Sequence, residues 1–433
     1  MQGTLDGVPR LRGPLASPAF RVVAACNVIS LTGSALALVA LPFAVLEAGG
    51  SAADVGYVAA AQLVPLSVVL LAGGVVADRL PRHRVMAAAN AVQAAARGGT
   101  AALLLTGQAQ VWQLIVLTAL GGAALGFFLP ASQGLLPQTV PQDQLVPAYA
   151  IDRTGRNAAA IGGAALGGLL TGLAGPGWAL AIDAASFALA GLLRVRLTLP
   201  SRPPDTAATT LLHDLREGWR EFSSRRWLWA SVAQFTLVVA VAVGTIDVLG
   251  PLAANARLGG AGSWGLIVAA YSAGAIAVGL VLIRLRPRRQ LLAAIGAVPA
   301  FAMLLFALAA PLPLGVVLAA SATAGACLEL TEVCWGATLA QQIPPDRLSR
   351  IASYDQFGGL ALSPLGAAVA GPLAAAFGTA AVLTAGGALI VVLPLLLLAT
   401  VPEIRRLGAP APPPPVKPAG AHGGPPHQPA ASG

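Results

Sequence analysis

Lysine is nearly missing: in 433 residues the only one is Lys417, close to the C-terminus. A phosphate-cradling Gly-x-x-x-x-Gly-Lys loop needs that side chain beside its glycines. ATP-driven transport by this chain is therefore not expected. Charge of either sign is also scarce. Only 10% of residues are Asp, Glu, Lys or Arg, against about 25% in a soluble domain. The four histidines, His83, His213, His422 and His427, fall outside the apolar runs. Cys26, Cys327 and Cys334 all lie inside them. Neither set has metal-ligand spacing, and the cysteines read as small buried hydrophobes. No enzyme signature is apparent, and no cofactor or metal is expected. A cleavable leader is not evident, because Met1 to Ala19 is polar and rich in Pro and Gly.

What fills the chain instead is hydrophobic residue, 56% of the total, with a mean hydropathy of +0.76. A membrane crossing needs about 20 apolar residues. By that measure the chain predicts twelve spans, near 20–46, 55–77, 84–106, 111–136, 147–174, 177–197, 228–254, 263–284, 289–310, 313–342, 350–376 and 379–400. The expected fold is an all-α membrane protein. Its predicted parts are an N-terminal segment (1–19), a first six-helix bundle (20–197), a central loop (198–226), a second six-helix bundle (227–401) and a Pro/Gly-rich tail (402–433). Within the loop, Leu212, Leu215, Trp219 and Phe222 have helical spacing, which predicts an amphipathic helix at the membrane surface. The tail, with Pro412 to Pro415, has the composition of a disordered segment.

The net charge of +9 is carried mainly by arginines in short loops. Arg10, Arg12, Arg79, Arg82, Arg84, Arg284, Arg286, Arg288, Arg289, Arg405 and Arg406 all fall on one side of the predicted topology. The other side holds only Arg257. Such asymmetry places both termini and the central loop in the cytoplasm. The basic residues are orientation signals, so a lipid bilayer is the expected partner and nucleic acid is not.

The chain also repeats itself. A shift of 203 positions aligns Gln138 with Gln341, Asp152 with Asp355, Gly155 with Gly358, Gly163 with Gly366 and Gly168 with Gly371. An even number of spans per repeat makes the halves parallel, related by an axis along the membrane normal.

Between the second and third spans stands Gly73-Gly74-Val75-Val76-Ala77-Asp78-Arg79-Leu80-Pro81-Arg82-His83-Arg84. An acid at a helix C-terminus is disfavoured by the macrodipole, so Asp78 needs a cation or another helix N-terminus. This order of Gly, Asp-Arg and Arg-x-Arg resembles the signature loop of the major facilitator superfamily. The resemblance implies a conformational-switch loop at Gly73, Gly74, Asp78, Arg79, Arg82 and Arg84. The fifth span carries Gly163, Gly167 and Gly168, which permit close helix crossing. It resembles the superfamily's antiporter motif with Ala164 in the place of its proline. Ser30, Gly33, Ala40-Leu41-Pro42, Asp183-Ala184-Ala185-Ser186-Phe187 and Gln341-Gln342-Ile343-Pro344 resemble the exporter branch that includes the enterobactin exporter and macrolide-efflux-like proteins.

Charges inside spans are costly and usually functional. Glu329 and Glu332 share one helix face, and with Asp247 they are the candidates for proton coupling. Asn27, Gln62, Arg97, Gln133, Gln234, Tyr271 and Trp335 are candidates for substrate contact. The resemblance implies a monomeric inner-membrane secondary transporter that moves a small molecule by alternating access. Its expected mode is proton-coupled export of a drug-like molecule or secondary metabolite, a siderophore among them. Uptake or facilitated diffusion, and a non-transporting receptor of the same fold, stay open.

Overall fold

The computed structural model describes residues 12–141, 144–197, 219–220, 222–284, 287–343, 351, 355, 358–359 and 361–407. Its long elements are α-helices: α1 (Pro18–Glu47), α2 (Ala52–Arg79), α3 (Arg82–Leu105), α4 (Val111–Leu135), α5 (Leu145–Ala174) and α6 (Pro176–Val195). After the central stretch come α7 (Arg226–Arg257), α8 (Ala261–Arg284), α9 (Gln290–Ala309), α10 (Leu314–Gln342), α11 (Ser363–Phe377) and α12 (Thr379–Thr400). Among the described residues 10 helices are long and apolar enough to cross a membrane. The other two are α3, which carries Arg82, Arg84 and Arg97, and α11, which has 15 residues. Only fragments of 198–226 and 344–362 are described, so most of the predicted amphipathic helix and the start of the predicted eleventh span lie outside the described residues. Trp219 and Phe222, both helical, are within them.

Helices dominate because a bilayer offers no partner for backbone N–H and C=O groups. The turns that link α1 to α2, α3 to α4, α5 to α6, α7 to α8 and α11 to α12 gather at one end, opposite the chain termini. Among the described residues every glycine with positive φ lies there: Gly49, Gly107, Gly175, Gly259, Gly260 and Gly378. Each reverses the chain in a conformation that a side chain would strain.

Within the first half α2 packs on α4, α3 on α4 and α6, and α1 on α5 and α6. In the second half α8 and α9 pack on α10, and α9 on α12. Two pairs form most of the contact between the halves, α5 with α8 and α2 with α11. Stepping six helices along the chain exchanges those two pairs, as a two-fold relation requires. The joints are backbone contacts at glycine. A Cβ on Gly168 would stand 2.7 Å from the Ala261 carbonyl oxygen, and one on Gly265 would stand 2.7 Å from that of Ala164. Gly371 lies likewise against Ala52 and Ala53, and Gly56 against Ala367. The glycines therefore let the helices approach more closely than larger residues permit.

These joints sit at the turn-bearing end. The large apolar cluster there is common to both halves, running from Val39, Phe43, Val55 and Val58 to Leu249, Trp264, Ile267 and Ala370. Toward the termini the core divides. Val23, Met86 and Leu135 form one cluster of the first half, and Trp227, Leu291, Leu339 and Leu397 form a separate one of the second. The halves share one apolar core at the turn-bearing end and have separate cores toward the termini.

Candidate functional site

Two joined lobes lie between the halves. The first has a volume of about 400 Å³ and is lined mainly by α1 to α4. The second, of about 290 Å³, is lined mainly by α7 to α10. Leu38, Val243 and Asp247 border both. Together they fall in the size range of small-molecule sites.

Polar groups enter the first lobe from α1, α2 and α3. Asn90, Gln93 and Arg97 have the i, i+3, i+7 spacing that puts them on one face of α3, and all three line the lobe with Asn27 and Gln62. Arg97 Nε lies 3.3 Å from Asp183 Oδ2 on α6, a carboxylate with no exposed side-chain surface. Behind the lobe a second network begins at the fully buried Arg194. Its Nη2 donates to Asn27 Oδ1 at 2.8 Å, and Asn27 Nδ2 donates to Asp152 Oδ1 at 2.8 Å. Arg156 lies 3.9 Å from the same Asp152. Arg194 also lies 5.2 Å from the centre of the Phe128 ring and contacts Asn90.

The second lobe is apolar, with Phe235, Trp264 and Phe301 in its wall beside Tyr271. Tyr271 meets Phe301 edge-on at 6.4 Å between ring centres. Asp247 stands at the junction, in a six-residue π-helical turn, Val243–Val248. Such turns shift the register of a helix and recur at functional positions.

The sequence-predicted residues thus separate. Asn27, Gln62 and Arg97 line the first lobe, Tyr271 the second, and Asp247 both. Gln234, Glu332 and Trp335 border a smaller cavity of about 30 Å³ instead. Trp335 Nε1 donates to Asp355 Oδ2 at 3.0 Å. Glu329 is engaged by Arg153 of α5 at 2.5 Å, an ion pair that joins the two halves. Gly163 and Gly167 face α1 at Thr32 and Leu36, while Gly168 faces α8. Arg82 and Arg84 lie in the first turn of α3. The backbone places Gly73, Gly74, Asp78 and Arg79 in the last turns of α2. Their side chains, and that of Gln133, lie outside the described residues. Arg194 was not foreseen as functional; its signal was a lone basic residue within the last turn of an apolar helix. Among the described residues no group of three His, Cys, Asp or Glu is placed to hold a metal.

The sequence profile described as Major Facilitator Superfamily matches residues 23–360. The multidrug efflux pump Tap of Mycobacterium bovis is 26% identical over 412 residues, 92% of this chain and 96% of that protein. The pump of the same name from Mycolicibacterium fortuitum is 27% identical over 418 residues, 92% of this chain and 97% of its own. A crystal structure of the nucleoside transporter NupG superposes with a TM-score of 0.70 at 15% identity, covering 88% of this chain and 98% of that one. A bacterial homologue of the lysosomal transporter Spinster, solved in an inward-facing and unoccupied conformation, gives 0.64 at 15% identity, with 90% and 96% covered.

Proposed function

The chain belongs to the major facilitator superfamily, and from that premise we propose that it exports a small drug-like molecule or secondary metabolite in exchange for protons. It is a multi-pass membrane transporter and not an enzyme. We read twelve crossings in two bundles of six, with both termini and the central loop in the cytoplasm. The arginine asymmetry and the exchange of the two joining helix pairs support that arrangement. Alternating access then takes the form of rocking, one bundle against the other.

The observation that carries the reading is the cavity itself. It is lined by both halves, sealed at the turn-bearing end by glycine-mediated backbone contacts, and bordered toward the termini by two separate cores. With the termini in the cytoplasm this is the inward-open arm of the cycle. Similarity to multidrug efflux pumps over most of the chain supports export as the direction.

For the coupling acid, what supports Asp247 is its place at the junction of the lobes. Glu332 borders a different, small cavity, and Glu329 already has a cation. A carboxylate inside the membrane carries a proton at far lower cost than a bare charge. Exchange of that proton for substrate gives antiport. Asp78 in the signature loop is proposed to bias the conformational equilibrium without touching the cargo.

The test is flux. Purified protein in proteoliposomes with an acidic interior is offered a panel of fluorescent aromatic amphiphiles of either charge. We expect at least one to accumulate and to leak out when a protonophore dissipates the gradient. Equilibration that ignores the pH gradient would assign the chain to facilitated diffusion instead.

A further inference from the structure

Among the described residues the charged groups that face the first lobe are Arg97 from α3, Arg156 from α5 and Asp247 from α7. Arg156 is turned to Asp152. Arg97 differs. Its Nε lies 3.3 Å from Asp183 Oδ2, and its side chain, which lines the lobe, is 12% exposed. Among the described residues its Nη1/Nη2 edge has no partner. A guanidinium held by one carboxylate along Nε presents the other edge as a rigid two-pronged donor, suited to a planar oxyanion. Asp183 is fixed in turn: it has no exposed surface, and a Cβ on Gly33 would stand 2.7 Å from its Oδ1. The arginine is thus braced from behind and free in front.

The surrounding charge favours the same chemistry. The walls built by α1, α3, α5 and α6 hold three guanidiniums, Arg97, Arg156 and Arg194, against two carboxylates, Asp152 and Asp183. Among the described residues Arg194 meets the Asn27 and Asn90 amides and the Phe128 ring, with no carboxylate paired to it. The compensating negative charge at the lobe is Asp247, on the opposite half and beside the apolar lobe. A cargo that satisfies this arrangement carries an acid, then a base, then an aromatic body.

We propose that the transported molecule is an amphoteric aromatic compound. Its acidic group docks on the Nη edge of Arg97, its basic group meets Asp247, and its ring system lies between Phe235, Trp264 and Phe301. The proposal rests on the export reading and deepens it, because a cationic group at Asp247 competes there with a proton.

The test is equilibrium binding to the protein in lipid nanodiscs, corrected with empty discs. The probes are N-(2-naphthylmethyl)-ω-amino acids with two to five methylenes between nitrogen and carboxylate. Their carboxamides keep the cation alone, and 2-naphthamido acids keep the anion alone. The best amphoteric probe is expected to bind about tenfold more tightly than its carboxamide, the scale of one charge-assisted hydrogen-bond pair. Arg97→Gln should abolish that ratio and leave the carboxamide's affinity unchanged, while Arg97→Lys retains part of it. Because Arg97→Gln strands a buried carboxylate, the double variant Arg97→Gln/Asp183→Asn provides the same test without it. Equal affinity of wild type for all three probe types overturns the proposal, as does an intact ratio in either Gln variant. Loss of pH-driven export with the ratio preserved contradicts the export reading alone.

Discussion

In the first half of the chain a buried polar network stands where the second half has an apolar core. Arg194 and Asn27 are hydrogen-bonded to one another beneath the first lobe. Shifted by the 203 positions of the sequence repeat, they fall on Leu397 and Ala230, both buried in the cluster around Trp227 and Leu291. Arg97 and Asp183 fall on Ala300 and Gly386. The converse also holds. Asp247, Glu329 and Glu332 of the second half correspond to Ala44, Gly126 and Leu129 of the first. What both halves keep is the glycine framework. Gly122 lies against the Gln62 carbonyl and Gly325 against that of Tyr271, again 203 positions apart. Both halves keep the contacts that let helices cross, while the charges that face the first lobe differ in sign: Arg97 and Arg156 come from the first half and Asp247 from the second. A cavity between such halves is electrically asymmetric, as discrimination of a polar cargo requires.

The comparison can be broken most forcefully at Arg194. Arg194→Ala removes the guanidinium that joins the half-buried Asn27 amide to the buried Asn90 amide, at a cost on the order of 3 kcal/mol. Thermal unfolding in detergent should show a Tm lower by several degrees. Leu397→Ala at the equivalent place should cost a similar amount by a different route, the cavity left by a buried leucine, about 2–5 kcal/mol. An unchanged Tm for Arg194→Ala would mean that the polar network adds nothing the apolar one lacks.

A somewhat smaller effect is expected where the halves are alike. Gly265→Leu forces a side chain against the Ala164 carbonyl and Gly168, an overpacking penalty of about 1–3 kcal/mol. That penalty applies only while the turn-bearing end is closed. Flux should therefore fall, and a cysteine placed in the lobes should react with impermeant reagent added from the outside. Gly162→Leu is the control, since nothing lies within 4 Å of its Cβ position. Equal behaviour of the two variants would remove the glycine joint from the account.

The smallest effect belongs to the ion pair between the halves. Arg153 is 66% exposed, and exposed pairs contribute about 1 kcal/mol or less. Arg153→Gln should leave Tm nearly unchanged and alter the rate at which the inner mouth opens, read as a modest change in flux. A Tm loss as large as that of Arg194→Ala would show that the pair is part of the core.

Much of this architecture was legible in the sequence, because a bilayer makes each crossing declare itself as a long apolar run. The run predicted at 20–46 is Pro18–Glu47, and that at 289–310 is Gln290–Ala309. The repeat was legible too, through Gly163/Gly366 and Gly168/Gly371, since close helix crossings tolerate few residue types. Side-chain pairing was not. Periodicity placed Glu329 and Glu332 on one face of α10, but nothing local disclosed that Arg153, 176 positions earlier, reaches Glu329. No linear pattern announces the π-helical turn at Val243–Val248 that carries Asp247. Aromatic residues such as Trp264 and Phe301 were invisible as site residues, because in an apolar helix a cavity wall and a core position have the same composition.

The central claim is that the halves exchange cargo for a proton at Asp247, and one paired measurement tests it most directly. Asp247→Asn is reconstituted in proteoliposomes, and a probe that wild type accumulates is followed in two modes. Accumulation driven by an acidic interior should be lost, with counterflow exchange surviving at saturating probe. Glu329→Gln and Glu332→Gln should keep both modes. Accumulation at the wild-type level by Asp247→Asn under the same pH gradient would contradict the account.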